Sequence, residues 1–221
     1  MTSTNPLWFV DRSAGEVTVL LLTAVLVLGI ARAGMPAAYP FVIEGAHRNL
    51  ALLTVVFGGL HVVAAIFDPY ARLGPIDVFV PFASAYRGTW LGLGVISAYL
   101  YAAATLTSWP ARRLPRSSWV WLHRVMYAGW LIAVIHSLGT GSDVRNAVFL
   151  FLNVAAVASA LIAFLAIRVA ERWTTSPRLW AALAIVSVLV TLGTAIWAAG
   201  GPLQPGWARS SGTPANLLKS P

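Results

Sequence analysis

Runs of roughly twenty residues with almost no charge recur along this chain, and they constrain its fold more than any other feature. That is the length a helix needs to cross ~30 Å of hydrocarbon. With 58% hydrophobic and only 10% charged residues in 221, the composition lies outside that of an ordinary soluble domain. The runs predict an all-α, polytopic membrane protein, a six-transmembrane-helix bundle with spans at about 17–31, 46–67, 88–109, 119–138, 146–167 and 179–199. Residues 1–16 read as a short N-terminal segment, 17–199 as one membrane domain and 200–221, rich in Gly, Pro and Ser, as a flexible tail without regular structure.

Tryptophans mark the same boundaries. Nine of the ten, at 8, 90, 109, 119, 121, 173, 180, 197 and 207, fall near predicted span ends, where amphipathic rings favour the interface. Only Trp130 falls deep within a span. The basic residues divide unevenly. Arg32, Arg48, Arg112, Arg113, Arg116, Arg124, Arg168, Arg172 and Arg178 fall on one side, and Arg12, Arg72, Arg87, Arg145, Arg209 and Lys219 on the other. The positive-inside rule makes the first side cytoplasmic and both termini extracytoplasmic, in a multi-pass protein of the plasma membrane. This placement accounts for the net charge of +8 without nucleic acid as a partner. The first sixteen residues lack the apolar stretch of a cleaved signal peptide. With no cysteine, disulfides, iron–sulfur ligation and covalent c-type haem are excluded.

The connection 68–87 is long for a bundle and carries Pro69, Pro75 and Pro81. Its apolar patch, Ile76, Val78, Phe79 and Val80, suits a membrane-lying segment or a lid. Gly92, Gly94, Gly139 and Gly141 follow no strand and read as packing and turn glycines rather than a nucleotide fingerprint.

The only four histidines fall in two pairs, His47 and His61 on the second span and His123 and His136 on the fourth. Fourteen residues separate the first pair by ~21 Å and return it to within about 40° of one face. Between them on that face stand Ala51, Thr54 and Gly58, all small. Such a face admits a flat macrocycle, or equally a close helix neighbour. The second pair, thirteen apart, is about 140° out of phase in an ideal helix, and Gly129 between them offers space or a bend. Spans two and four run in the same direction, so His47 shares a depth with His123 and His61 with His136. Two bis-imidazole haems, held between helices two and four, require this arrangement. Arg48 and Arg124, each following a histidine, are suited to haem propionates or to anchoring at the interface. Zinc fits poorly, because the pairs lie ~20 Å apart without Cys or acidic ligands nearby. A non-redox scaffold or transporter, with histidines as helix glue or a proton path, is the alternative.

The segments AHRNLALL, LHVVAAIFDPY and WLHRVMYAGWLIAVIHSLGTGSD resemble the ferric reductase-like transmembrane domain family, whose members include the membrane cores of NADPH oxidases and metalloreductases and the haem subunit of a bacterial methionine-sulfoxide reductase system. The chain looks like a small actinobacterial stand-alone member. The resemblance covers about residues 10 to 200 and implies two haem b groups, with His47–His123 and His61–His136 as axial pairs and electrons passing from the inner to the outer haem. No flavin or NADPH domain follows the last span, so the expected donor is a separate flavoprotein or membrane quinol. The expected acceptor is an extracytoplasmic redox partner or ferric iron. Tyr86, Arg87 and Trp90, with the turn at 139–143, are the expected docking surface.

Overall fold

The computed structural model describes residues 5–34, 40–108, 115–141, 143–171 and 177–218. Trp109, Arg112, Arg113, Arg172, Trp173 and Lys219 lie outside them, as do the side chains of Arg168, Arg178 and Trp180. Every regular element described is helical: α1 (Pro6–Gly34), α2 (Pro40–Phe67), α3 (Pro75–Phe79), α4 (Gly88–Thr107), α5 (Arg116–Thr140), α6 (Ala147–Glu171), α7 (Pro177–Gly200) and α8 (Trp207–Ser210). Several begin on a proline, whose missing N–H costs nothing in a first turn. Asn5 caps α1 by accepting from the Leu7 amide at 3.1 Å, and Asn146 caps α6 through Val148 at 2.9 Å.

Among the described residues five helices, α1, α2, α4, α5 and α6, are long and apolar enough to cross a membrane. α7 contributes a shorter apolar stretch, Ile185–Gly200. The bundle leaves large apolar side chains on its outside, including Leu52, Val56, Val63 and Phe67 of α2, Phe151 and Ile162 of α6, and Ile196 of α7. An apolar exterior of this extent belongs against lipid. The chain is a multi-pass membrane protein.

Packing centres on α1, which lies against α2, α5 and α6, while α4 lies against α5. Val19, Val134, Leu138, Val144 and Ala198 form its buried core, flanked by Trp130 and Trp197. Trp130 donates its indole N–H to Thr23 of α1 at 2.9 Å, which satisfies a polar atom placed far from any interface. α2 and α5 hardly touch each other. The gap between them holds the site.

The tail differs from the expectation of irregular chain. Residues 201–218 form turns and the short α8 and fold back on the bundle. Trp207 packs on Trp90 and Trp197, with ring centroids 5.3 and 6.2 Å away, and donates to the Gly139 carbonyl at 3.0 Å. Arg87 fastens the arrangement. Its amide donates to Gly212, its Nε to Thr213 at 2.9 Å and its Nη1 to the Thr140 carbonyl at 2.5 Å. Arg87 is 2% exposed. It ties the long connection, the end of α5 and the tail together.

Candidate functional site: facing histidines between two parallel helices

The histidines of α2 and α5 meet at two levels in the same chain order, so the two helices run parallel. His47 faces His123 with ring centroids 5.9 Å apart. His61 faces His136 at 6.2 Å. A metal bonded at roughly 2 Å to one nitrogen of each ring puts imidazole centroids about 6 Å apart. Each pair therefore suits one ion between its two imidazoles, and at the His61/His136 level a cavity leaves room for a flat group around it. Among the described residues no cluster of three or more His, Cys, Asp or Glu offers a complete protein-only metal site. The residues fit an ion that brings its own equatorial ligands.

Three rings are oriented by the backbone. Nδ1 of His47 lies 2.9 Å from the Val25 carbonyl of α1, Nδ1 of His61 lies 2.9 Å from the Asp11 carbonyl of α1, and Nδ1 of His136 lies 2.8 Å from the Trp90 carbonyl of α4. A carbonyl oxygen only accepts, so Nδ1 carries the proton in each and the Nε2 lone pair is left for a metal. His61 also lies 2.8 Å from the Asp11 carboxylate. His123 differs: its buried Nδ1 has no hydrogen-bond partner among the described residues, and its ring stacks on Trp119 at 4.8 Å and 18°.

Around His61 and His136 lies a cavity of about 440 Å³. Thr54 and Gly58 of α2 line it, as the small-residue face anticipates, with Gly15 and Thr18 of α1 and Gly94 and Ala98 of α4. Thr54 is 1% exposed and its hydroxyl donates to its own helix at Leu50, 2.8 Å away. Ala51 instead meets α4, where Tyr101 donates to its carbonyl. Gly129 does not border the cavity. It packs against Leu100 of α4 and its carbonyl accepts from Ser97 at 2.9 Å. Arg48 and Arg124 are exposed at the His47/His123 level.

The connection 68–87 covers the cavity. Tyr70, Leu73, Val78, Phe79 and Tyr86 line it from above, and Tyr99 of α4 donates to the Phe79 carbonyl. Ile76, Phe79 and Val80 also keep exposed apolar surface, so the segment combines lid and membrane-facing patch. The expected docking surface is corrected here. Tyr86 and Arg87 are buried, and Trp90 is enclosed by Trp197 and Trp207. Burial raises the Tyr86 phenol above its usual range, and the Arg87 guanidinium beside it acts in the opposite direction.

Sequence reasoning passed over Asp11, Gly15 and Gly29, and read Trp119 only as an interface residue and Gly94 only as a packing residue. A methyl group added at Gly15, Gly29 or Gly94 would meet the ring of His61, His47 or His136 respectively. One signal was available: Gly15 and Gly29 are spaced fourteen apart, as are His47 and His61.

Fold and site together define a helical membrane protein that presents paired imidazoles at two depths. Residues 14–134, more than half of the chain, match the family described as ferric reductase like transmembrane component, and the chain belongs to that family. The match includes His47, His61 and His123 and ends two residues before His136. Among curated proteins the chain is similar to the protein-methionine-sulfoxide reductase haem-binding subunit MsrQ of Bordetella pertussis, 30% identical over 141 residues, 61% of this chain and 62% of that protein. The MsrQ of Ralstonia nicotianae is 30% identical over 132 residues, 60% of this chain and 58% of that protein. The chain thus spans about three fifths of the length of these relatives. No solved structure matches it.

Proposed function

We propose that this protein carries electrons across the plasma membrane through two haem b groups, one held by His47 and His123 and the other by His61 and His136. The observation that carries the reading is the pair of facing imidazoles at two levels, 5.9 and 6.2 Å apart, between parallel helices that otherwise hardly touch. Bound haem supplies one-electron chemistry. The chain's own residues do the rest. At each level two facing imidazoles would hold the haem iron. Carbonyls of α1 and α4 orient three of them, the bundle and its lid exclude water, and Arg48 and Arg124 serve propionates at the His47/His123 level.

α7 completes six spans in this reading. The excess of arginine puts the His47/His123 level on the cytoplasmic side and both termini outside. A separate flavoprotein or quinol delivers electrons there, and an extracytoplasmic redox partner or ferric iron receives them near His61 and His136. The MsrQ relatives are haem-binding subunits of a protein-methionine-sulfoxide reductase, which makes a partner that reduces methionine sulfoxide in proteins the favoured acceptor.

Purified chain from haem-replete cells should give a six-coordinate low-spin b-type spectrum and two haems per chain by pyridine haemochrome. His47→Ala and His123→Ala should each remove the same haem, and His61→Ala and His136→Ala the other. A folded, colourless preparation refutes the proposal and leaves the histidines as packing or proton-path residues.

A further inference from the structure

Each carbonyl that receives a histidine N–H belongs to a residue four places before a glycine: Asp11 before Gly15, Val25 before Gly29, Trp90 before Gly94. In an α-helix that carbonyl already accepts from the amide four residues on. The side chain at that later position leans back over it. The chain shows this directly, since Thr18, Thr54 and Thr107 each lay their hydroxyl on the carbonyl four residues earlier, at 2.7, 2.8 and 2.7 Å. Glycine at the same position uncovers the oxygen and clears a path for a ring from the neighbouring helix. A Cβ would stand 3.0 Å from Nδ1 of His61 at Gly15, 3.3 Å from Cε1 of His47 at Gly29, and 2.5 Å from Nδ1 of His136 at Gly94.

His123 has no such seat. Among the described residues its buried Nδ1 has no acceptor. Its ring is held by stacking on Trp119, one turn earlier on α5, whose indole N–H reaches Ser108 at 3.3 Å. A ligating imidazole that donates its second N–H is more basic and better fixed in orientation than one that does not.

Resting on the two-haem reading, we propose that Gly15, Gly29 and Gly94 are positioning residues that seat His61, His47 and His136 on helix carbonyls, while Trp119 positions His123 by stacking and leaves it the one weakly held axial ligand. The His61/His136 level has two seated rings and the His47/His123 level one. The second is therefore the level that opens to an added ligand.

The test uses the full chain in nanodiscs, with haem stoichiometry, the low-spin electron paramagnetic resonance signals and carbon monoxide binding to the reduced protein as readouts. Gly94→Ala, the tightest approach, should fall from two haems to one and keep the signal that His136→Ala keeps. Gly15→Ala should weaken the same haem less. Gly29→Ala, the loosest, should retain both haems with a shifted signal from the other. Gly59→Ala, with no neighbour among the described residues within 4 Å of the added carbon, should retain two unshifted haems. Trp119→Leu should let carbon monoxide bind half of the haem, while Trp119→Phe, which keeps a stacking ring, should not. If Gly94→Ala does not accumulate, Gly29→Ala and the Trp119 pair carry the test. Two haems in the wild type with unshifted signals in the glycine variants, or identical behaviour of Trp119→Leu and Trp119→Phe, overturn the proposal while leaving the two-haem reading intact. A wild type without two haems overturns both.

Discussion

Replacing Asp11 by Asn changes one charge beside one imidazole and little else. The Asp11 carboxylate lies 2.8 Å from Nδ1 of His61 and is 22% exposed, while the backbone carbonyl of the same residue, 2.9 Å from that nitrogen, survives the substitution. The ring therefore keeps its seat and its tautomer. Across the width of the imidazole, the carboxylate stands about 7 Å from a metal bonded to the far nitrogen. At that distance and an effective dielectric of about 20, one unit charge acts on a one-electron change with about 2.4 kcal/mol. For a one-electron couple this corresponds to about 100 mV. A negative charge favours the ferric state, so its removal raises the potential. Asp11→Asn should thus raise the midpoint potential of the His61/His136 haem by about 100 mV and leave the other unmoved, as read by spectroelectrochemical titration of the purified chain. No shift, or equal shifts at both haems, would refute the claim that this carboxylate tunes one level through its ligand.

Arg87→Ala removes buried donations to Thr213 and Thr140, each worth about 1.5–3 kcal/mol for a charged donor. It should free the tail, giving faster proteolysis within residues 201–218 and red-shifted tryptophan emission as Trp207 leaves Trp90 and Trp197, with haem content unchanged; undiminished protection would count against the clamp. Thr54→Phe pushes a ring into the cavity beside His61 and His136 and should cost one haem per chain by pyridine haemochrome. Thr54→Val should keep both haems, because it preserves the size of the side chain and the donation it loses is to its own helix.

What the sequence made legible was whatever carries its own chemical signature. Apolar runs announced the helices, and histidines in a lipid setting announced the site. Parallel direction of two spans was enough to bring His47 to His123 and His61 to His136. Thr54 and Gly58 were legible as a small face for the same reason. Backbone acceptors have no such signature. Nothing in the letters Asp11, Val25 or Trp90 says that their carbonyls receive a ring, so α1 read as a plain span although it orients one imidazole at each level. Gly129 illustrates the converse error: a glycine between two ligands invites a role at the gap, yet its face of α5 turns to α4 and Ser97. The tail misled through composition, since Gly, Pro and Ser promise irregular chain. Its docking rests on Trp207 and on a single arginine 126 residues from Thr213, a separation that no local pattern reveals.

The thirteen-residue interval between His123 and His136 has a physical consequence at the site. α5 runs as one helix from Arg116 to Thr140, so no break absorbs the phase difference of about 140° that thirteen steps impose. Both rings nonetheless meet partners on α2 that are fourteen apart and nearly in phase. The difference reappears in what surrounds each ring. His136 rests on a carbonyl of the neighbouring α4, whereas His123 rests on Trp119 of its own helix. α2 meets no such conflict: its fourteen-residue interval is copied by Asp11 and Val25 on α1, and both of its rings face α1 carbonyls, His61 with the Asp11 carboxylate beside it as well. One helix thus supplies two carbonyl-seated ligands and the other only one. Two iron sites with the same two-imidazole chemistry would differ in stiffness and in potential, which is how a chain with one kind of ligand can distinguish its two levels.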